Sequence, residues 1–160
     1  MIKMNLQYFA RKKNALRQHF IADYDAKNPD TKPLEGAYKK FGRYVTTVED
    51  DGDVQSEDYS DYAGDGSVST DVTGVTEKWN FSGYWDPEQE AQQLVKKKKR
   101  AKGDDRKVWH KIIETDGTII EGVGTLSEKI VAGSGEASDW EEFSCAITYD
   151  KTPEVTEPKP

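Results

Sequence analysis

Two histidines, one cysteine, a run of aspartates and a run of lysines are the side chains with chemistry to offer in this sequence. Nucleophilic or acid–base catalysis needs a reacting group with a positioned partner. His110 is level with Val108 and Ile112 in an alternating stretch, which reads as a core or surface position of a strand, and His19 has no partner at a telling spacing. Cys145 alternates with Phe143 and Ile147, so it reads as a small buried hydrophobe. A single cysteine excludes an internal disulfide and a multi-cysteine zinc site. Glu141 and Glu142 are neighbours, so in a strand they face opposite ways and cannot act as a pair. The residues therefore point to a protein that is not an enzyme and needs no cofactor.

The acidic stretch invites a calcium reading. Asp61, Asp65 and Gly66 fall at the first, fifth and sixth positions of an EF-hand register. Ala63 and Val72 occupy positions where acidic ligands belong, so the stretch reads as a solvated loop. The basic run "KKKKRAKGDDRK" (96–107) is the kind of footprint that nucleic-acid binding leaves. Its lysines are consecutive, so they fan around a helix end, and Asp104 and Asp105 follow at once. Attraction to the negative end of a helix dipole explains that placement without a ligand.

Composition sets the frame for these groups. The chain has 160 residues, a net charge of -7, 34% hydrophobic and 33% charged residues. That balance predicts a modest core with long solvated segments. Acidity argues against bulk electrostatic binding to nucleic acid or anionic membranes. No stretch reaches the roughly 20 apolar residues of a membrane helix, and residues 1–11 lack a signal-peptide apolar region. A soluble protein is the expectation, and a single cysteine fits a reducing compartment without excluding an oxidising one.

The elements that must position these residues are mostly strands. Residues 1–13 read as an N-terminal arm, and 14–24 fit either a strand or a short helix. "AYKKFGRYVTTVE" (37–49) predicts one strand with Phe41, Val45 and Val48 inward. Residues 49–74 hold no Lys or Arg and are rich in Asp, Gly, Ser and Thr, which predicts a long acidic loop able to dock through Tyr59, Tyr62 and Val68. "VTEKWNFSGYW" (75–85) alternates, with Trp79 and Phe81 as core anchors. A helix over about 86–101 follows, with Asp86 as N-cap, Pro87 in the first turn, Gln89 completing a loose capping box and Gly103 as terminator. Its stripe is Ala91, Leu94 and Val95, with Ala101 beyond. Strands at 106–114 and 119–131 join through Asp116-Gly117. A last strand in 140–150 turns Phe143, Cys145, Ile147 and Tyr149 inward, and the Pro-rich residues 151–160 read as a disordered tail. The order predicts a mainly β protein, a β-sandwich or barrel with one flanking α-helix.

The order of local phrases carries a further signal. Asp65-Gly66, Asp71-Val72-Thr73-Gly74, Asp86-Pro87 and Asp104-Asp105-Arg106 occur in that sequence, after the opening "NLQYFA". Over roughly residues 40–150 this resembles the major tail protein, or tail tube protein, of long non-contractile-tailed bacteriophages (siphophages) of Gram-positive hosts. The resemblance implies a β-sandwich that assembles into hexameric rings stacked as a tube in the virion tail, after synthesis in the host cytoplasm. It implies tape measure, tail terminator and distal tail proteins as partners. Phage DNA would pass the lumen without sequence-specific binding, and no membrane is involved. The 49–74 segment is then expected to be an assembly arm acting through Tyr59, Asp61, Tyr62, Asp65, Gly66, Asp71 and Thr73. Around the helix end, Lys96, Lys97, Lys98, Lys99, Asp104 and Arg106 are expected to meet a neighbouring subunit. A small β-sandwich module that binds carbohydrate or a cell surface through exposed Trp and Tyr is the competing reading.

Overall fold

The computed structural model describes residues 11–160; residues 1–10, most of the expected N-terminal arm, lie outside the described residues. Strands dominate, with one α-helix among the described residues. A single 3₁₀ turn leads into β1 (Gln18–Asp23), which settles the strand-or-helix question for that segment. Then follow β2 (Lys39–Phe41), β3 (Val45–Asp50), β4 (Asp53–Tyr59), β5 (Ser69–Thr76), β6 (Lys78–Tyr84) and α1 (Glu90–Lys97). The remainder is β7 (Lys107–Ile113), β8 (Ile119–Leu126), β9 (Val131–Ala132), β10 (Glu142–Tyr149) and β11 (Glu154–Thr156).

All but β4 and β5 belong to one antiparallel sheet with strand order β2-β1-β7-β8-β10-β6-β3; β11 adds to β8 and β9 to β10. The single strand expected over 37–49 is two strands, at opposite margins of this order. Gly42–Tyr44 alone join them, with Tyr44 at φ 65°. So short a link, under about 3.6 Å per residue, forces the sheet to curl back on itself. The two faces of the curl then differ: Ile21, Phe41, Phe81, Val108, Leu126, Phe143 and Ile147 fill the inside. Trp109 packs with Ala22 and Tyr38 in a smaller cluster on the opposite face.

The helix is shorter than expected, beginning at Glu90. Asp86 caps a turn that precedes it instead: Oδ1 accepts from the Glu88 N–H at 3.0 Å, and the Asp86 carbonyl accepts from Gln89 N–H at 3.1 Å. The Gln89 side chain makes no cap. Buried Gln92 reaches back across the turn, accepting from Asp86 N–H at 2.8 Å and donating to the Tyr84 carbonyl at 3.1 Å. Ala91 and Val95 join the core as expected, with Leu94 packed against it. The Pro-rich tail also departs from expectation: Glu154–Thr156 pair with Glu121, Ile120 and Ile119 of β8. Pro153, which is buried, fits where β8 carries Gly122; a Cβ there would stand 3.1 Å from the proline ring.

The core is crossed by a polar chain. His19 Nδ1 lies 3.2 Å from His110 Nε2, and His110 Nδ1 lies 2.8 Å from the Tyr149 hydroxyl. A neutral His110 donates to one neighbour and accepts from the other, so the buried nitrogens are satisfied. Burial, then Arg17, lowers the His19 pKa from 6.5 to about 4; burial and His19 push His110 well below its ordinary value. Unfolded, both rings take up protons near pH 6.5. Stability is therefore full above that pH and falls as pH drops toward 4, because the unfolded chain binds protons the fold refuses. Urea titrations from pH 6 to 4.5 should show this loss, and His19→Gln should flatten the slope by about 1.4 kcal/mol per pH unit. An unflattened slope would show that His19 is not the titrating group.

Candidate assembly surface

The acidic segment is an antiparallel hairpin rather than a loop. Asp53 pairs with Thr76 and Tyr59 with Ser69, and residue 73 forms a bulge between the Gln55–Gly74 and Ser56–Val72 pairs. The β-branched run Val68 to Thr76 supplies strand preference that its Asp and Gly content masks. Only residues 60–68 form a loop, shaped by Asp side chains: Asp61 Oδ1 accepts from Ala63 and Gly64 N–H, and Asp65 Oδ1 accepts from Ser67 N–H at 2.9 Å. Gly66 takes φ 85°, a conformation that suits glycine. Among the described residues, no group of three or more metal-ligating side chains is placed to hold an ion.

Every residue from 49 to 73 is exposed. A two-stranded hairpin is marginal in water without a surface to pack on. Val54, Tyr59, Tyr62, Val68, Val72 and Val75 on this hairpin are half of the twelve exposed large hydrophobic residues among the described residues. Glu57 stands directly across from Asp71, a like-charge pair that is unfavourable unless a cation approaches. Thr73 hydroxyl donates to the Gln55 carbonyl at 3.3 Å across the bulge. The hairpin thus holds together Tyr59, Asp61, Tyr62, Asp65, Gly66, Asp71 and Thr73.

The basic run divides. Lys98 is buried, pairs with Asp23 at 2.7 Å and donates to the Asp105 carbonyl at 3.0 Å. Arg106 donates to the carbonyls of Lys98, Lys99, Leu126 and Glu128 at 2.7–3.0 Å, closing the helix end onto the sheet. Asp104 pairs with Lys107 at 3.1 Å. These three side chains have partners within their own chain, Lys98 at the end of α1 and Asp104 and Arg106 in the 3₁₀ turn Gly103–Arg106 that follows it. Lys96 lies 4.4 Å over the Trp85 ring. Lys97, Lys99, Arg100 and Lys102 are exposed and in no ion pair among the described residues.

Beyond Trp85 lies a cleft of about 820 Å³ that the sequence expectation does not contain. Trp140, 81% exposed, with Tyr44 and Tyr84, forms its walls together with Trp85. Alternation could not find it, because Trp140 and Tyr44 belong to connections between strands and meet Tyr84 only after folding. The cleft and the hairpin sit at opposite ends of one ladder: β6 runs from Lys78, beside the hairpin base, to Tyr84 at the cleft.

No family model matches the chain, and no curated protein matches it. Solved structures do share its fold. A chain in the virion of a native gene transfer agent particle superposes with TM-score 0.64 at 9% identity, covering 91% of this chain and 99% of that one. A chain in the tail of an empty gene transfer agent particle, refined helically with C6 symmetry, gives TM-score 0.65 at 9% identity and the same coverage. The whole described sheet, not a fragment of it, is therefore a recurrent architecture.

The division of the basic run has a measurable consequence. Arg106→Met strips charged donors from four carbonyls and should cost about 3 kcal/mol. The double variant Lys97→Glu, Lys99→Glu should stay within about 0.5 kcal/mol of the parent. Urea unfolding midpoints compare the two, and equal midpoints would contradict the division.

Proposed function

We propose that this protein is a structural subunit of a virion tail that self-assembles into hexameric rings stacked as a tube. The observation that carries the reading is the β4–β5 hairpin, an acidic, apolar-studded ribbon that no other element of the described residues buries. The fold shared with a chain of a C6-symmetric tail supports it. In a head-to-tail stack the hairpin end of one copy meets the cleft end of the next. Lys97 and Arg100, which border Trp85 and Pro87 of the cleft wall, then supply, with Lys99 and Lys102 of the same helix end, the cations that Glu57 and Asp71 lack. Closing sheet edges across subunits removes exposed strands and adds the burial that the small core does not provide.

The tube serves as the conduit for DNA ejection into the host. A chain of net charge -7 is compatible with a lumen that lets phosphates slide, since a basic lining would grip them. Tape measure, tail terminator and distal tail proteins are the partners this role requires. A second reading, a carbohydrate- or surface-binding module, draws on the exposed Trp140, Tyr44 and Tyr84.

Negative-stain microscopy of concentrated protein separates the readings: rings or tubes support the tail subunit, whereas a strictly monomeric species that binds glycans supports the module. Replacing residues 54–75 by a two-residue turn should leave the thermal midpoint within a few degrees and abolish tubes. Lys97→Glu with Lys99→Glu should weaken stacking most at low salt, where screening is least. Tubes of parental length from the shortened protein would remove the hairpin from assembly.

A further inference from the structure

The cleft holds an unusual charge. The Asp86 side chain is 8% exposed, and its Oδ2 accepts no hydrogen bond. Arg43 is the nearest cation, its Nε 3.8 Å from Oδ2 and its Nη1 3.9 Å from Glu88, beyond hydrogen-bond range of either. That guanidinium is held instead 4.8 Å over the Tyr44 ring, bonding the Tyr44 hydroxyl at 3.1 Å. Asp86, Glu88, Asp139 and Glu141 together set four carboxylates against one guanidinium in the lining. A desolvated carboxylate amid aromatic faces is a receptor for a cation: the rings attract it through their quadrupoles and the carboxylate through charge.

The chain contains one segment of matching chemistry outside the described residues. Residues 1–10, continued by the first described residue Arg11, read "MIKMNLQYFAR": Lys3 and Arg11 are its cations, Tyr8 and Phe9 its aromatic residues, and none is acidic. The described chain begins beside the β7–β8 turn, where Lys12 Nζ donates to the Thr115 carbonyl at 2.8 Å. Along β10 from Glu142 to Tyr149, then across to β8 at Gly124 and on to Ile119, the path leads steadily away from the cleft. Lys12, the described residue next to this segment, therefore stands at the end that carries the hairpin and opposes the cleft. The hairpin is excluded from the cleft by like charge, whereas residues 1–11 are not.

We propose that the cleft of one copy receives residues 1–11 of the next, with a cationic side chain set between Trp140 and Asp86. This rests on the head-to-tail reading above and names a second contact in it. The two contacts sort by charge: acidic hairpin to basic helix end, basic N-terminal segment to acidic cleft.

A synthetic peptide of residues 1–11, with a photo-crosslinking analogue at Phe9, tests the site on the full chain held dilute enough to remain unassembled. Tryptophan fluorescence should report binding, and crosslinks should map to residues 84–86 and 139–141. Trp140→Ala, at an exposed position, should weaken binding at least about tenfold, and Asp86→Asn likewise. A peptide with Lys3 and Arg11 replaced by Glu should not bind. No binding, crosslinks elsewhere, or capture by the cleft of a 94–102 peptide instead would each overturn the proposal. Microscopy of the same protein reads tubes independently, so tubes without peptide binding would reject this contact alone.

Discussion

The link Gly42–Tyr44 is the constraint on which the structure depends. It joins strands at the two margins of the sheet order, so the sheet can form only as a curl. The crossing is close: a Cβ on Gly83 would stand 2.0 Å from the Tyr44 carbonyl oxygen, and β3 shifts register between Val45 and Thr47 to accommodate it. Only glycine on β6 and a positive φ at Tyr44 let the margins meet. The main apolar cluster then falls inside one surface, with α1 contributing Ala91 and Val95 to it.

A curl of this size leaves little room for unpaired polarity, and the interior accounts for what it holds. His19, His110 and Tyr149 satisfy one another at the centre. Lys111, buried against the Phe20 and Tyr38 rings, bonds Glu35 at 2.9 Å. Arg106 collects the loose carbonyls at the helix end. Asn80 Oδ1, within β6, is buried without a partner, and the other such atom among the described residues, Asp86 Oδ2, lies at the cleft. Among the described residues, nine of the twelve exposed large hydrophobic residues lie on the hairpin or around the cleft, and so do the facing acids Glu57 and Asp71 and the Asp86 Oδ2 that accepts no hydrogen bond. The exposed apolar groups and uncompensated carboxylates of the described residues thus concentrate at the two ends of the body.

Much of this was legible in the residues. The alternation of Phe143, Cys145, Ile147 and Tyr149 places all four inward, and the Asp116-Gly117 turn joins β7 to β8 with Gly117 at φ 94°. Trp79 and Phe81 pack in the core, as their alternation in β6 implies. Other features were hidden because local preference misstates them. Acidic and glycine-rich composition conceals the β4–β5 ladder, whose strands are stabilised by pairing rather than by burial. Pro153 and its neighbours look like a disordered tail until β8 offers a glycine-lined edge to β11. Within the lysine run, sequence position does not reveal that Lys98 meets Asp23, 75 residues earlier.

The sequence by itself determined the strand-rich class, the single helix with its cationic end, and an acidic segment too polar to be buried. Those follow from periodicity and composition, which act within a few residues. Tertiary structure alone decided that residues 37–49 split across the sheet and that two distant histidines share a proton-bonded chain. It also decided which lysines are spent inside the fold, and that Tyr44, Tyr84, Asp86 and Trp140 converge on one cleft. Each of these depends on closure of the sheet, and closure is a property of the whole strand order rather than of any local stretch.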